Sequence, residues 1–198
     1  VLVRNDSALK SVTDLKRRRV AIGEMGSASR ATALRVLQAH GLGVTDIVAV
    51  EQSLREALVR LHNRELDAVF QVIGVPADGV RDALAAIPLR LLPLAPQAVE
   101  LLTKDNRGYF AYTIARGAYA TQKDDVPTIA TSALLLAAAD LSEAEIARIA
   151  TFVFHRGQDF LARGSAQGAL VSAANMRTGL PIPLHAGAAK ALDGALKP

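Results

Sequence analysis

Along the chain, apolar and polar positions switch repeatedly between the period of a strand and the period of a helix. Residues 1–4 are apolar and β-prone, and Ser11-Val-Thr-Asp14 predicts a capping box ahead of a short helix over 15–17. Residues 19–23 predict a compact strand ending on glycine. The small-residue turn 24–29 then feeds a helix with Leu34 and Leu37 on one face and Gly41 at its end. Residues 47–50 read as a short buried strand. Ser53-Leu-Arg-Glu56 predicts a second capping box, opening a helix whose stripe is Leu54, Ala57, Leu58 and Leu61. Residues 66–73 predict a strand interrupted by Gly74-Val75-Pro76, followed by a helix over 80–86 and a strand over 89–94.

After Pro96 the texture changes. Residues 109–115 and 128–136 read as strands, and Ser142-Glu-Ala-Glu145 as a third capping box. That box starts a long helix with Ile146, Ile149 and Val153 on one face, running towards Leu161. Prolines keep 179–185 extended, and an alanine-rich helix over 188–196 closes the chain. Alternating strands and helices at this spacing predict an α/β fold with a mostly parallel sheet flanked by helices.

Composition narrows the function. With 198 residues, 51% of them apolar and 21% charged, the chain is long and apolar enough for one or two packed domains. No cysteine means no disulfide, no thiolate metal site and no thiol nucleophile. A net charge of +4 is a weak field, and no basic block with interleaved aromatics appears, so nucleic acid is not an expected partner. The longest apolar run, 133–139, falls far short of the roughly 20 residues of a membrane span. The chain opens on what reads as mid-strand, with no secretory signal pattern, as a fragment or a processed protein would.

Three places carry candidate chemistry. In Gly23-Glu-Met-Gly26-Ser27-Ala28-Ser29-Arg30 a strand passes through glycines and serines into a helix start. Free amides and the positive end of the helix dipole there suit an anion; ordinary N-capping explains the same serines. A dinucleotide fingerprint, a Walker loop and a nucleophile elbow all fail on their glycine and lysine spacing. Gly74-Val75-Pro76 follows a strand and would face the same crevice, or is simply a turn. Tyr109, Tyr112 and Tyr119 cluster, as pocket or as core. The histidines at 40, 62, 155 and 185 lack ligand spacing, so no metal and no cofactor are expected. No acid/base pair stands out, which speaks against an enzyme.

In their order, these segments resemble the TAXI-type solute receptors of tripartite ATP-independent periplasmic (TRAP) transporters. The resemblance runs from Val3-Arg4-Asn5-Asp6-Ser7 and Lys10–Lys16 through Arg19–Gly23 and Gly26–Arg30. It continues through Leu66–Phe70, Gly74–Pro76 and Leu89–Leu94 to Gly117-Ala-Tyr119, Asp125–Thr128 and Pro181–His185. It implies a type II periplasmic binding fold with one lobe complete and the other mostly missing. Residues 1–138 would form the second lobe with hinge-crossing strands, and 139–198 a helical segment packing on the first. The implied function is capture of a small carboxylate, such as glutamate or another organic acid, for membrane permease subunits in the periplasm. Gly26, Ser27, Ala28, Ser29 and Arg30 would hold the carboxylate, Gly74, Val75 and Pro76 would form the facing wall, and Tyr119 would lie near the hinge. Arg17 stands where the family has glycine, so a left-handed turn there would cost roughly 1–2 kcal/mol. The apolar helix face within 142–161 predicts a homodimer or another covering partner. A sensory domain of the same fold, or an enzyme using Glu24, are the alternative readings.

Overall fold

The structure, a computed structural model, describes residues 1–195. The described residues form two compact units, one of residues 1–105 with 111–130 and the other of 106–110 with 131–195.

The first unit is built on five short strands: β1 (Leu2–Arg4), β2 (Arg19–Ala21), β3 (Val48–Val50), β4 (Ala68–Val69) and β5 (Leu89–Leu91). Their order across the sheet is β3-β2-β4-β1-β5. β2 pairs in parallel with β3 and β4, whereas β1 runs antiparallel to both β4 and β5. All strands but β1 therefore share one direction, which is the mostly parallel sheet the sequence predicts. Four helices follow: α1 (Ala28–Ala39), α2 (Leu54–His62), α3 (Asp78–Ala86) and α4 (Pro96–Asp105).

The sheet is covered on both faces. Leu2, Ala21, Val69 and Leu89 share a core with Ala57, Leu58 and Leu61 of α2 and Val80 and Leu84 of α3. Their strand neighbours Val3, Val20 and Ala68, which point to the opposite face, are equally buried. The chain leaves β2 for β3 in one direction and returns past β2 to β4 in the other. Right-handed crossovers therefore put α1 and α2 on opposite faces.

Several elements differ from their sequence expectation, each for a physical reason. The strand expected over 66–73 is only Ala68–Val69. Phe70 still donates its N–H to the Ala21 carbonyl (2.8 Å), but the Val72 N–H goes to a side chain and the chain leaves the ladder. The capping box at Ser11 and Asp14 forms, yet it encloses a 3-10 turn over Val12–Leu15 in place of a helix over 15–17. Arg17 takes φ 62°, the left-handed turn its position demands, and its N–H reaches the Asp46 carbonyl at 2.6 Å. α4 has no counterpart in the sequence reading, because Pro96 opens the helix at its first residue, where a missing N–H costs nothing.

Two further strands, β6 (Tyr109–Ile114) and β7 (Val126–Thr131), pair only with each other. β7 stops well short of residue 136, and Leu135 and Leu136 are 76% and 70% exposed.

The second unit contains α5 (Glu143–His155), α6 (Gly157–Ala162) and α7 (Ala186–Ala195). The single helix expected towards Leu161 is thus two, divided at Arg156 and Gly157, glycine being a poor helix former. The closing helix starts two residues earlier than predicted, and residue 196 lies outside the described residues. His185 explains the start: its Nδ1 accepts the Gly187 N–H (3.1 Å) and its Nε2 donates to the Leu141 carbonyl (3.1 Å). Gly187 is required there, since a Cβ would come within 2.2 Å of the Glu143 carbonyl oxygen. Ile149 and Phe152 of α5 remain exposed.

Candidate functional site

Where strand order reverses in an open α/β sheet, the helices leave on opposite faces and a crevice opens at the carboxyl ends of the strands. In the first unit that point lies between β2 and β4. The segment leaving β2 leads through residues 22–27 into α1, and the segment leaving β4 is 70–77. These are the two places singled out in the sequence, brought side by side by the parallel pairing of β2 and β4.

The start of α1 is built in layers. Ser27 is the N-cap, and its Oγ accepts the Arg30 N–H at 3.1 Å. Gly23, at φ 95°, lies directly beneath. A Cβ there would come 2.7 Å from the Ser29 Cβ and 3.0 Å from the Arg30 nitrogen, so only glycine allows this approach. Ser29 is buried at 7% exposure, and its Oγ accepts the Val72 N–H at 3.0 Å, joining the two segments across the crevice. Arg30 leans the other way and donates from Nε to the Glu51 carboxylate (2.6 Å) just beyond β3. Among the described residues no acceptor takes the N–H groups of Ala28 and Ser29, the first two of the helix. Gly26 adds a second left-handed turn, at φ 76°, before the cap.

The opposite segment is less ordered by hydrogen bonds. Gly74 is exposed and Val75 and Pro76 are half-buried. Its far end is pinned by Tyr119, only 3% exposed, whose hydroxyl oxygen accepts the Ala77 N–H at 3.2 Å. Burial pushes the Tyr119 phenol up from its ordinary pKa, so it stays a neutral, fixed support. Tyr119 thus sits below the segment as core, while Tyr109 and Tyr112 lie on β6 and are half-buried.

α1 has a close counterpart in α2. Ser53 caps α2 as Ser27 caps α1, but α2 carries Glu56 three residues on. The Glu56 carboxylate accepts both the Ser53 N–H (3.1 Å) and the Ser53 hydroxyl (2.8 Å). Those bonds hold the Glu56 carboxyl below its usual range, so a fixed negative charge already sits on the positive end of α2. α1 has no acidic residue in its first turn. Its positive end and its unclaimed Ala28 and Ser29 amides therefore have no internal anion beside them.

Glu24 and Met25 turn towards α2 and line a shallow groove with Glu51, Gln52 and Arg55. The Glu24 carbonyl accepts the Ser27 N–H at 3.1 Å, and among the described residues no group of His, Asp and Glu gathers as a metal site. No helix among them is long and apolar enough to cross a membrane.

A mostly parallel sheet with helices on both faces and a strand-order reversal beside β2 makes the first unit an open α/β fold. The chain belongs to the NMT1-like family, whose model matches residues 1–193. Its fold is similar to that of the periplasmic aliphatic sulphonate binding protein SsuA from Escherichia coli. That likeness has 22% identity and a TM-score of 0.50 over 98% of this chain and 54% of the other. A second likeness is to the alkanesulfonate-binding protein SsuA from Xanthomonas axonopodis pv. citri bound to MOPS. There the identity is 20% and the TM-score 0.45, over 98% and 54% of the two chains. The chain therefore spans about half the length of the solved proteins it matches. The first of these likenesses carries the binding-protein fold of the sequence resemblance; its TAXI subtype rests on the ordered sequence segments alone.

Proposed function

We propose that the chain supplies one lobe of a solute-binding protein and that the start of α1 grips the anionic group of a small organic acid. The observation that carries this reading is the contrast between two serine-capped helices of the same sheet. α2 holds its own carboxylate, and α1, at the strand-order reversal, holds none. Gly26 and Ser27 shape the grip, Ala28 and Ser29 donate to the oxyanion, and Gly74, Val75 and Pro76 line the other side of the crevice. Tyr119 acts from beneath by fixing that segment. The role is capture without chemical change, in the periplasm, with delivery to membrane permease subunits.

The solute class follows from the donors. Two converging amides and a hydroxyl fit two or three oxygens on a single atom, which both a carboxylate and a sulphonate present. A carboxylate such as glutamate delivered to a TRAP-type permease is the finer reading drawn from the TAXI resemblance. A sulphonate is the class named for SsuA.

A thermal-shift screen with acetate, glutamate, succinate and methanesulfonate tests the reading and separates the two classes. A ligand bound only to the folded state stabilises it by about 2.7 kcal/mol at a hundredfold excess over Kd. A rise in Tm with either class, abolished by blocking the α1 start with Ala28→Pro, is the expected result. No rise with any of these anions would overturn it. The apolar surface around Ile149 and Phe152 adds a separate expectation: the chain associates with a copy of itself or with another covering partner, and a monomer by light scattering would contradict it.

A further inference from the structure

The sequence suggests Arg30 as a cation for the solute, but the structure engages it elsewhere. Arg30 is the third residue of α1, where a positive side chain meets the positive end of the helix and is disfavoured. Its Nε is held by the Glu51 carboxylate at 2.6 Å, and both side chains are about one-third exposed or less, at 33% and 29%. Glu51 follows β3, on the far side of β2 from β4. Ser29, one residue earlier, is tied to the segment after β4 through the Val72 N–H. The first turn of α1 is therefore fastened from both flanking strands, with Gly23 pressed beneath it.

Resting on the proposed anion site, we infer that Glu51 is a positioning residue: it acts on the solute through Arg30, as a strut that fixes the aim of the Ala28 and Ser29 amides. Arg30 does not serve as the counter-charge of the solute. Two facts support the division. The guanidinium reaches towards β3 and ends on the Glu51 carboxylate, away from the segment that follows β4. The strut and the Ser29 tie leave adjacent residues of one turn in opposite directions, as bracing requires.

The two roles predict opposite signs for one substitution. Glu51→Gln releases Arg30. If Arg30 were the counter-charge, freeing it would tighten anion binding; as a strut, its loss loosens the turn and weakens binding roughly three- to tenfold. The measurement is an amide-resolved NMR titration of the 198-residue chain with acetate and with methanesulfonate, which reads weak affinities directly. Arg30→Gln should weaken binding to a similar degree, and the double variant should be no worse than either single one. Glu51→Asp keeps the charge but shortens the reach, and should also weaken binding, which a purely electrostatic role would not produce. Tighter or unchanged binding in Glu51→Gln overturns the inference, as does an additive double variant. No perturbation of Ala28 or Ser29 in the unsubstituted chain would instead overturn the anion site itself. If Glu51→Gln does not fold, the Glu51→Asp titration decides alone: weaker binding supports the strut and unchanged binding overturns it.

Discussion

α1 and α2 start in nearly the same way and end up with different capacities. Each follows a strand of the same parallel trio, and each is capped by a serine whose Oγ accepts the N–H three residues on. In α2 the third helical residue is Glu56, which folds back onto Ser53 and completes the cap with a carboxylate. In α1 the same position is Arg30, which turns away to Glu51 and leaves the helix end without an internal anion. One residue type at one position thus gives α2 an internal carboxylate and leaves α1 without one, while the first two N–H groups of both helices have no acceptor among the described residues. The fold contributes the rest, since α1 stands at the strand-order reversal.

The contrast can be broken hardest at Gly23. Gly23→Ala forces a side chain into a left-handed φ of 95° and against the first turn of α1. We expect a loss of about 2–4 kcal/mol in chemical denaturation. A loss below about 1 kcal/mol would mean that the turn relaxes and that its close packing is not required. Ser29→Ala comes next, because it strands the Val72 N–H between two segments. The expected cost is about 1–3 kcal/mol, together with weaker anion binding.

Ser27→Ala and Ser53→Ala sharpen the comparison directly. Each removes a helix cap and should lower stability by about 1 kcal/mol, but only Ser27→Ala should weaken binding of acetate or methanesulfonate. Equal effects on binding would remove the distinction between the helices. The smallest expected effect is on pH dependence. The Ser53 bonds depress the Glu56 pKa in the folded state, so its stabilising contribution is present above the unfolded value of about 4.3. That contribution is lost as pH falls through the lower folded value. Glu56→Gln should therefore flatten the acid limb of the stability curve measured by chemical denaturation.

How far this contrast was legible in sequence follows from the range of each interaction. Ser27 and Ser53 could be read as caps, and Glu56 as the partner of Ser53, because those bonds span three residues. Likewise the stripe of Ala57, Leu58 and Leu61 is set by local period, and all three are buried. Ser29 and Arg30 were visible as polar residues at a helix start, but their roles depend on Val72 and Glu51, which lie 43 and 21 residues away. Only the strand order brings those partners near. The same limit applies to β4, whose apolar run promises a long strand until the Val72 N–H is taken by Ser29. It applies also to β1, since nothing in Val1–Arg4 encodes that its neighbours run the other way. Tyr119 could be named as a residue of interest, yet its place beneath Ala77 rests on a pairing 42 residues distant.

The most direct test of the central claim is a residue-resolved titration of the isotope-labelled chain with methanesulfonate and with acetate, following the first-turn amides of both helices at once. The account predicts saturable shifts at Ser27, Ala28 and Ser29, with Leu54, Arg55 and Glu56 unmoved at the same concentrations. Shifts of equal size at both helices, or none at α1, would contradict it.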